Sequence, residues 1–220
     1  MAAEFHCLPP DIRARVRGAW SGGLASQAYT RATDLLQAGA GRLVSFGIAG
    51  GLEPGLTPGT VVIPRIVLAP DGTRYETDAE EFARLSALLE AIRIPYVTRP
   101  ILGVDRPVTD RREKRALYDR WGAAACDMES HHAARAARRI TTPGGLPHPF
   151  VTVRVISDPA HRTLPSTALL GLSATGEVDT ARVLGALLRR PWEIPAMAGL
   201  GLEAARAFRR LRRLGALGVL

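Results

Sequence analysis

Apolar residues fall along the chain in two rhythms, short continuous runs and steps of three or four, and their alternation predicts strands interleaved with helices. Leu43 to Ala49 is an apolar-rich run that stops at Gly50-Gly51, as a buried strand does when it ends in a turn of close backbone approach. A second run, Thr60 to Val67, follows the turn pair Pro58-Gly59, and a third, Ile101 to Val104, leads into Asp105 and Pro107. Phe150 to Ile156 is β-branched and apolar at nearly every position, as expected of a central strand covered on both faces, and Pro159 stops it. Phe82, Leu85, Leu88, Leu89 and Ile92 recur at helical steps behind Glu80 and Glu81, and that helix ends before Pro95. Asp127 to Ile140 is rich in Ala and Arg without a breaker, and reads as a helix that Asp127 could cap. The same periodicity predicts helices over 177–190 and 195–214.

This alternation points to an α/β fold with a mixed, mainly parallel sheet flanked by helices. The length, 220 residues with 46% hydrophobic, suits a single domain over 1–220. Open sheets of this kind bind ligands beyond the carboxyl ends of their strands. Three segments carry unusual residues to that edge: Ala49-Gly50-Gly51, Asp105-Arg106-Pro107-Val108 and Ser157-Asp158-Pro159. Asp127-Met128-Glu129 approaches from the same direction.

Charge changes this picture little. The net charge of +8 is carried almost entirely by arginine, Lys114 being the only lysine, with clusters at Arg111-Arg112-Lys114-Arg115 and from Arg206 to Arg213. No zinc-finger spacing or aromatic RNA-binding strand accompanies it and aromatic residues are only 5%, which argues against a nucleic-acid partner. Cys7 and Cys126 lie far apart without ligand spacing and read as two buried thiols. His131 and His132 point about 100° apart on a helix with no third ligand in view, so no metal is expected. No apolar stretch reaches the roughly 18 residues of a membrane span, and no basic, apolar leader follows Met1, so a cytoplasmic location is expected.

Three motifs, in order, carry a resemblance. Ser45-Phe46-Gly47-Ile48-Ala49-Gly50-Gly51-Leu52 with Pro58 to Val62, Asp127-Met128-Glu129-Ser130, and Val153-Arg154-Val155-Ile156-Ser157-Asp158 resemble the purine nucleoside phosphorylase and methylthioadenosine/adenosylhomocysteine nucleosidase family. The wording is most similar to the hopanoid-associated phosphorylase subgroup, which is linked to releasing adenine from adenosylhopane. The resemblance implies cleavage of a purine N-glycosidic bond, with Asp158 the acid that protonates or hydrogen-bonds N7. Burial at the end of an apolar strand would favour its protonated form. It also implies that Glu129 accepts from the ribose hydroxyls and that Met128 packs under the sugar. Gly50, Gly51, Ile48 and Ser157 would line the site, and Asp105, Pro107 and Val108 would lie along the purine, with Pro107 in place of the family's stacking aromatic. No cofactor is implied, inorganic phosphate being an alternative nucleophile to water, and the implied assembly is a homodimer or larger.

Two departures stand out. Met1-Ala2-Ala3-Glu4 resembles the end of the family's first strand, so the body of that strand is missing, and Glu4, matching the residue that activates water, is expected to fray near a free end. Ile48 replaces a serine near the nucleophile. The 195–220 segment combines Phe208, Leu211, Leu214, Leu217 and Leu220 with five arginines. It reads either as a helix packed on the sheet or as a basic amphipathic element at the membrane, near a substrate with an apolar 5′ group. A non-catalytic purine-nucleoside binding protein and a methylthioadenosine/adenosylhomocysteine nucleosidase remain alternatives.

Overall fold

Two long strands, β1 (Leu43–Gly51) and β8 (Phe150–Asp158), run parallel side by side through the middle of the protein. The computed structural model describes residues 2–21, 25–170, 185–186 and 188–219. Six shorter strands complete one sheet: β2 (Val61–Val62), β3 (Ile66–Leu68), β4 (Arg74–Glu76), β5 (Tyr96–Val97), β6 (Ile101–Gly103) and β7 (Ala125–Asp127). Their order is β4-β3-β6-β7-β1-β8-β2-β5, with parallel and antiparallel pairs mixed. The helices are α1 (Ala2–Phe5), α2 (Pro10–Arg15), α3 (Ala25–Gln37), α4 (Ala79–Ala91), α5 (Arg111–Trp121), α6 (Ser130–Arg139), α7 (Ser166–Leu170) and α8 (Ile194–Ala216).

The apolar rhythms have their expected meaning where they are long. All nine positions of β8 are buried, and α4 turns Phe82, Leu85 and Leu89 inward behind an Asp78 cap whose carboxylate accepts from Glu80 N and Glu81 N. Elsewhere the structure corrects the pattern. The predicted strand Thr60 to Val67 breaks at Pro64, which has no N–H for a ladder, into β2 and β3. Asp127 ends a strand rather than starting a helix: pairing of Ala125–Asp127 with β1 and β6 makes β7, and α6 begins at Ser130. The predicted helix over 177–190 lies largely outside the described residues.

The N-terminal end of the chain differs from expectation, and the C-terminal helix takes the sheet-packed one of its two readings. Ala2–Phe5 is a helical turn and not the end of a strand, in keeping with the helix propensity of Ala-Ala-Glu. It does not fray, because Cys7 and Leu8, 5% and 4% exposed, anchor it in the core and against Gly215 of α8. In α8, Leu211 and Leu214 are fully buried in the cluster that includes Val151, Val153 and Val155 of β8. The apolar face that Leu211 and Leu214 give the C-terminal helix is thus occupied by the sheet, while Ile194 and Leu202 of the same helix are exposed. No described helix is long and apolar enough to cross a membrane.

Candidate active site

Arg154 is the hub of the first of two polar centres. It interrupts the apolar run of β8, is 1% exposed, and lies opposite Gly47 of β1. Its Nε donates to Asp127 Oδ2, its Nη2 donates to Ser45 Oγ at 2.8 Å, and Nη2 stands 3.7 Å from Glu129 Oε2. Ser21 Oγ in turn donates to Glu129 Oε1. Asp127 also accepts from the backbone N–H of Ser130 at 3.1 Å and from its hydroxyl, fixing the start of α6 and thereby the position of Glu129 just before it.

Glu4 closes this centre from the N-terminal turn. Its Oε1 accepts the Ile48 N–H at 2.8 Å, and only a glycine at 47 leaves room for its carboxyl beside Arg154. Burial, reinforced by the Glu129 charge, pushes the Glu4 carboxyl above its ordinary range against the pull of Arg154. Burial is also the largest influence on Arg154 and opposes its charge, but Asp127, Glu129 and Glu4 outweigh it and raise its proton affinity. Of the three carboxyl groups around this guanidinium, Glu4 is the one where burial most favours taking up a proton. The cluster opens on a cavity of about 640 Å³ lined by Glu4, Ser21, Ser45 and Glu129, with Phe5, Leu8, Trp20, Leu35, Val44 and Phe46 as apolar wall.

The second centre lies further along the same strands. A register shift between Ala49 and Gly50 sets Gly50 opposite Asp158, and a Cβ at Gly50 would come within 3.3 Å of Asp158 Oδ2. Ser157 Oγ lies 2.7 Å from Asp158 Oδ1 and 3.2 Å from Ala49 O, and its one proton goes to the shorter contact, on Asp158. Asp158 has a buried partner that the sequence did not show. Lys114 of α5, itself fully buried, donates to Asp158 Oδ2 at 2.5 Å and to Pro159 O at 3.1 Å.

The remaining predicted residues divide between the two centres. Gly51 packs on the Asp158 backbone, and Val108 is buried in a cluster with Leu52, Leu102 and Cys126 beside that end. Met128 is half-buried between Asp127 and Glu129, while Ile48 contributes its backbone N–H to Glu4. Pro107 is half-buried, and Asp105, which is exposed, instead meets the two histidines. Its Oδ1 is 3.7 Å from His131 Nε2 and 3.9 Å from His132 Nε2, supplying the third ligand that the sequence did not show. Among the described residues, this is the group that could hold a metal ion. Burial holds both imidazoles below their ordinary range, His131 to about 4. Cys7 and Cys126 are free, buried thiols. Sequence reasoning missed Lys114 and the hub role of Arg154; the one available signal was a charged residue inside an otherwise apolar central strand.

A mixed sheet whose central strands carry a carboxyl-rich centre at one point and an acid with a buried cation further along defines an acid–base enzyme of the α/β class. The family model described as the phosphorylase superfamily matches residues 21–189, and the chain belongs to that superfamily of nucleosidase and phosphorylase enzymes. No curated protein matches it in a sequence search. Among solved structures it is similar to the 5′-methylthioadenosine/S-adenosylhomocysteine nucleosidase of Helicobacter pylori, at 19% identity and TM-score 0.57 over 76% of each chain. It is also similar to the futalosine hydrolase of Helicobacter pylori, at 19% and 0.58 over 76% of each chain. The S-adenosylhomocysteine nucleosidase of Streptococcus pyogenes matches at 22% and 0.57 over 64% of this chain and 65% of that one. At these identities the likeness is one of fold.

Proposed function

We propose that the protein hydrolyses the N-glycosidic bond of a purine nucleoside with a large apolar 5′ group, the substrate being adenosylhopane and the product adenine, in hopanoid (bacteriohopanepolyol) biosynthesis. One observation carries the reaction. Glu4 and Arg154 meet at Gly47, and Asp158 meets Gly50, three residues along the same strand or roughly 10 Å. A nucleoside can bridge that distance with its sugar at one centre and its base at the other. In this arrangement Asp158 faces the purine and protonates the departing base. Glu129, oriented by Ser21 and Arg154, accepts from the ribose hydroxyls and stabilises positive charge developing in the ring. Glu4 takes the proton of the attacking water.

Water is favoured over phosphate because the carboxyl groups of Glu4, Asp127 and Glu129 lie where the nucleophile would sit, a poor place for an anion. The cavity volume and its apolar side, Phe5, Leu8, Trp20, Leu35, Val44 and Phe46, facing a rim that includes Arg15, Arg17, Arg31 and Arg42, leave room for a bulky 5′ substituent. Incubating the protein with adenosine derivatives of increasing 5′ apolarity, with and without phosphate, tests the reading. Free adenine should appear without phosphate, most rapidly from the most apolar derivative, and Asp158→Asn should slow release about 100-fold or more with the fold intact. Strict phosphate dependence would remove the hydrolytic step, and a preference for small 5′ groups would remove the hopanoid substrate.

A further inference from the structure

Lys114 occupies a costly position. Its neighbours Arg111, Arg112 and Arg115 are exposed, while it alone turns from α5 into the protein to meet Asp158. A buried ion pair of this kind contributes little to stability compared with apolar side chains of the same volume. Its presence against the acid therefore calls for a chemical reason. With an ammonium on Oδ2 and the Ser157 hydroxyl giving its one proton to Oδ1 at 2.7 Å rather than to the more distant Ala49 O at 3.2 Å, both oxygens of Asp158 act as acceptors, which is the arrangement of a carboxylate. A carboxylate has no proton to give a leaving purine.

We infer that Lys114 is the proton store for departure of the base, acting through Asp158 as a positioning and proton-supplying residue; the inference rests on the proposed glycosidic cleavage. As the bond between C1′ and N9 breaks, its electron pair passes to the purine. One proton moves from Lys114 Nζ to Asp158 Oδ2, the oxygen that faces Gly50, and on to N7. Lys114 is left as the neutral amine and Asp158 returns to the carboxylate. Water supplies hydroxide to C1′ and its proton to Glu4, and exchange with solvent after product release resets both groups.

Among the described residues, the charged and titratable neighbours of the pair are otherwise engaged. Cys126, from β7, is held as the thiol by burial and by Asp158. Arg162, in the segment after β8, is tied to Glu203 of α8 and does not give up its proton. Glu113, on α5, is paired with Arg106, and Asp127 with Arg154.

Lys114→Arg separates charge from proton supply, because a guanidinium can keep the ion pair but does not deprotonate. Its kcat should fall about 100-fold with KM nearly unchanged. In Lys114→Met the alkaline limb of the kcat profile should move to lower pH, since Asp158 must then hold its own proton. Wild-type kcat and an unchanged profile in Lys114→Arg would overturn the inference. A second measurement needs no variant: with one lysine in the chain, selective ¹⁵N labelling of lysine side chains gives one Nζ signal. Its titration midpoint should coincide with the alkaline limb of kcat, and an ammonium that persists while activity disappears would contradict the proton store. If wild-type protein released no purine from any nucleoside, the reaction itself would fail, whereas full turnover with Lys114→Arg removes only the lysine's part.

Discussion

Gly47→Ala tests whether Glu4 must sit against Arg154 for the reaction to proceed. The added methyl group would lie 2.9 Å from Glu4 Cδ and 3.1 Å from Arg154 Nη1. Ordinary contact between carbon atoms needs roughly 3.5 Å, so the carboxyl must retreat by about half an ångström or more and loosen its hold on the Ile48 N–H. Overpacking of this size costs about 1–3 kcal/mol, a fall in Tm of roughly 3–10 °C for a chain of this length. Displacing a group that activates the nucleophile costs about 10- to 100-fold in rate. Adenine release and thermal melting measured on the same preparations separate the two effects. Gly201→Ala is the control, since its Cβ meets nothing within 4 Å. Wild-type kcat in Gly47→Ala, whatever its Tm, would refute a part for Glu4 in the chemistry.

Three further outcomes follow from burial and charge. Because burial raises the proton affinity of Glu4 in the fold, its contribution to stability is complete below its ordinary value of 4.5 and is lost as pH rises through the raised value. Glu4→Gln should therefore gain in Tm relative to wild type as pH rises above that point, and parallel Tm curves would contradict the shift. His131 has the opposite sign. Its affinity is held down to about 4, so stability present above 6.5 is lost as pH falls toward that value, and His131→Phe should flatten this acid slope in denaturant titrations. Leu211→Ala should cost about 2–5 kcal/mol in urea unfolding because the side chain is fully buried; loss of liposome binding without loss of stability would instead restore the membrane reading of α8.

The fold was legible where hydrophobic patterns were long. β1, β8, α4 and α8 each bury enough consecutive or periodic positions to be read from residue order alone. β4 and β5 were invisible because two or three residues carry no period, and α5 because its apolar Leu117, Tyr118 and Trp121 are only half-buried among charges. β7 was invisible for the same reason as β4 and β5, three residues carrying no period, and Asp127, read as the cap of a helix, is its last residue. In the site, Asp158 and Glu129 were visible as acids at the ends of motifs. Their partners were not, since which side of α5 faces the sheet, and hence that Lys114 meets Asp158, is settled by packing. Glu4 was legible as a candidate but not as an ordered one, because the residues that anchor it, Cys7 and Leu8, act through contacts with α8 some 200 residues away in sequence.

The most direct test of the account is a crystal structure with a non-hydrolysable purine nucleoside analogue bound. The account predicts N7 of the purine within hydrogen-bonding distance of Asp158, the ribose hydroxyls on Glu129, and the 5′ substituent extending into the apolar cavity near Trp20. An analogue bound away from β1, or with its base against Glu129 and its sugar toward Lys114, would contradict it.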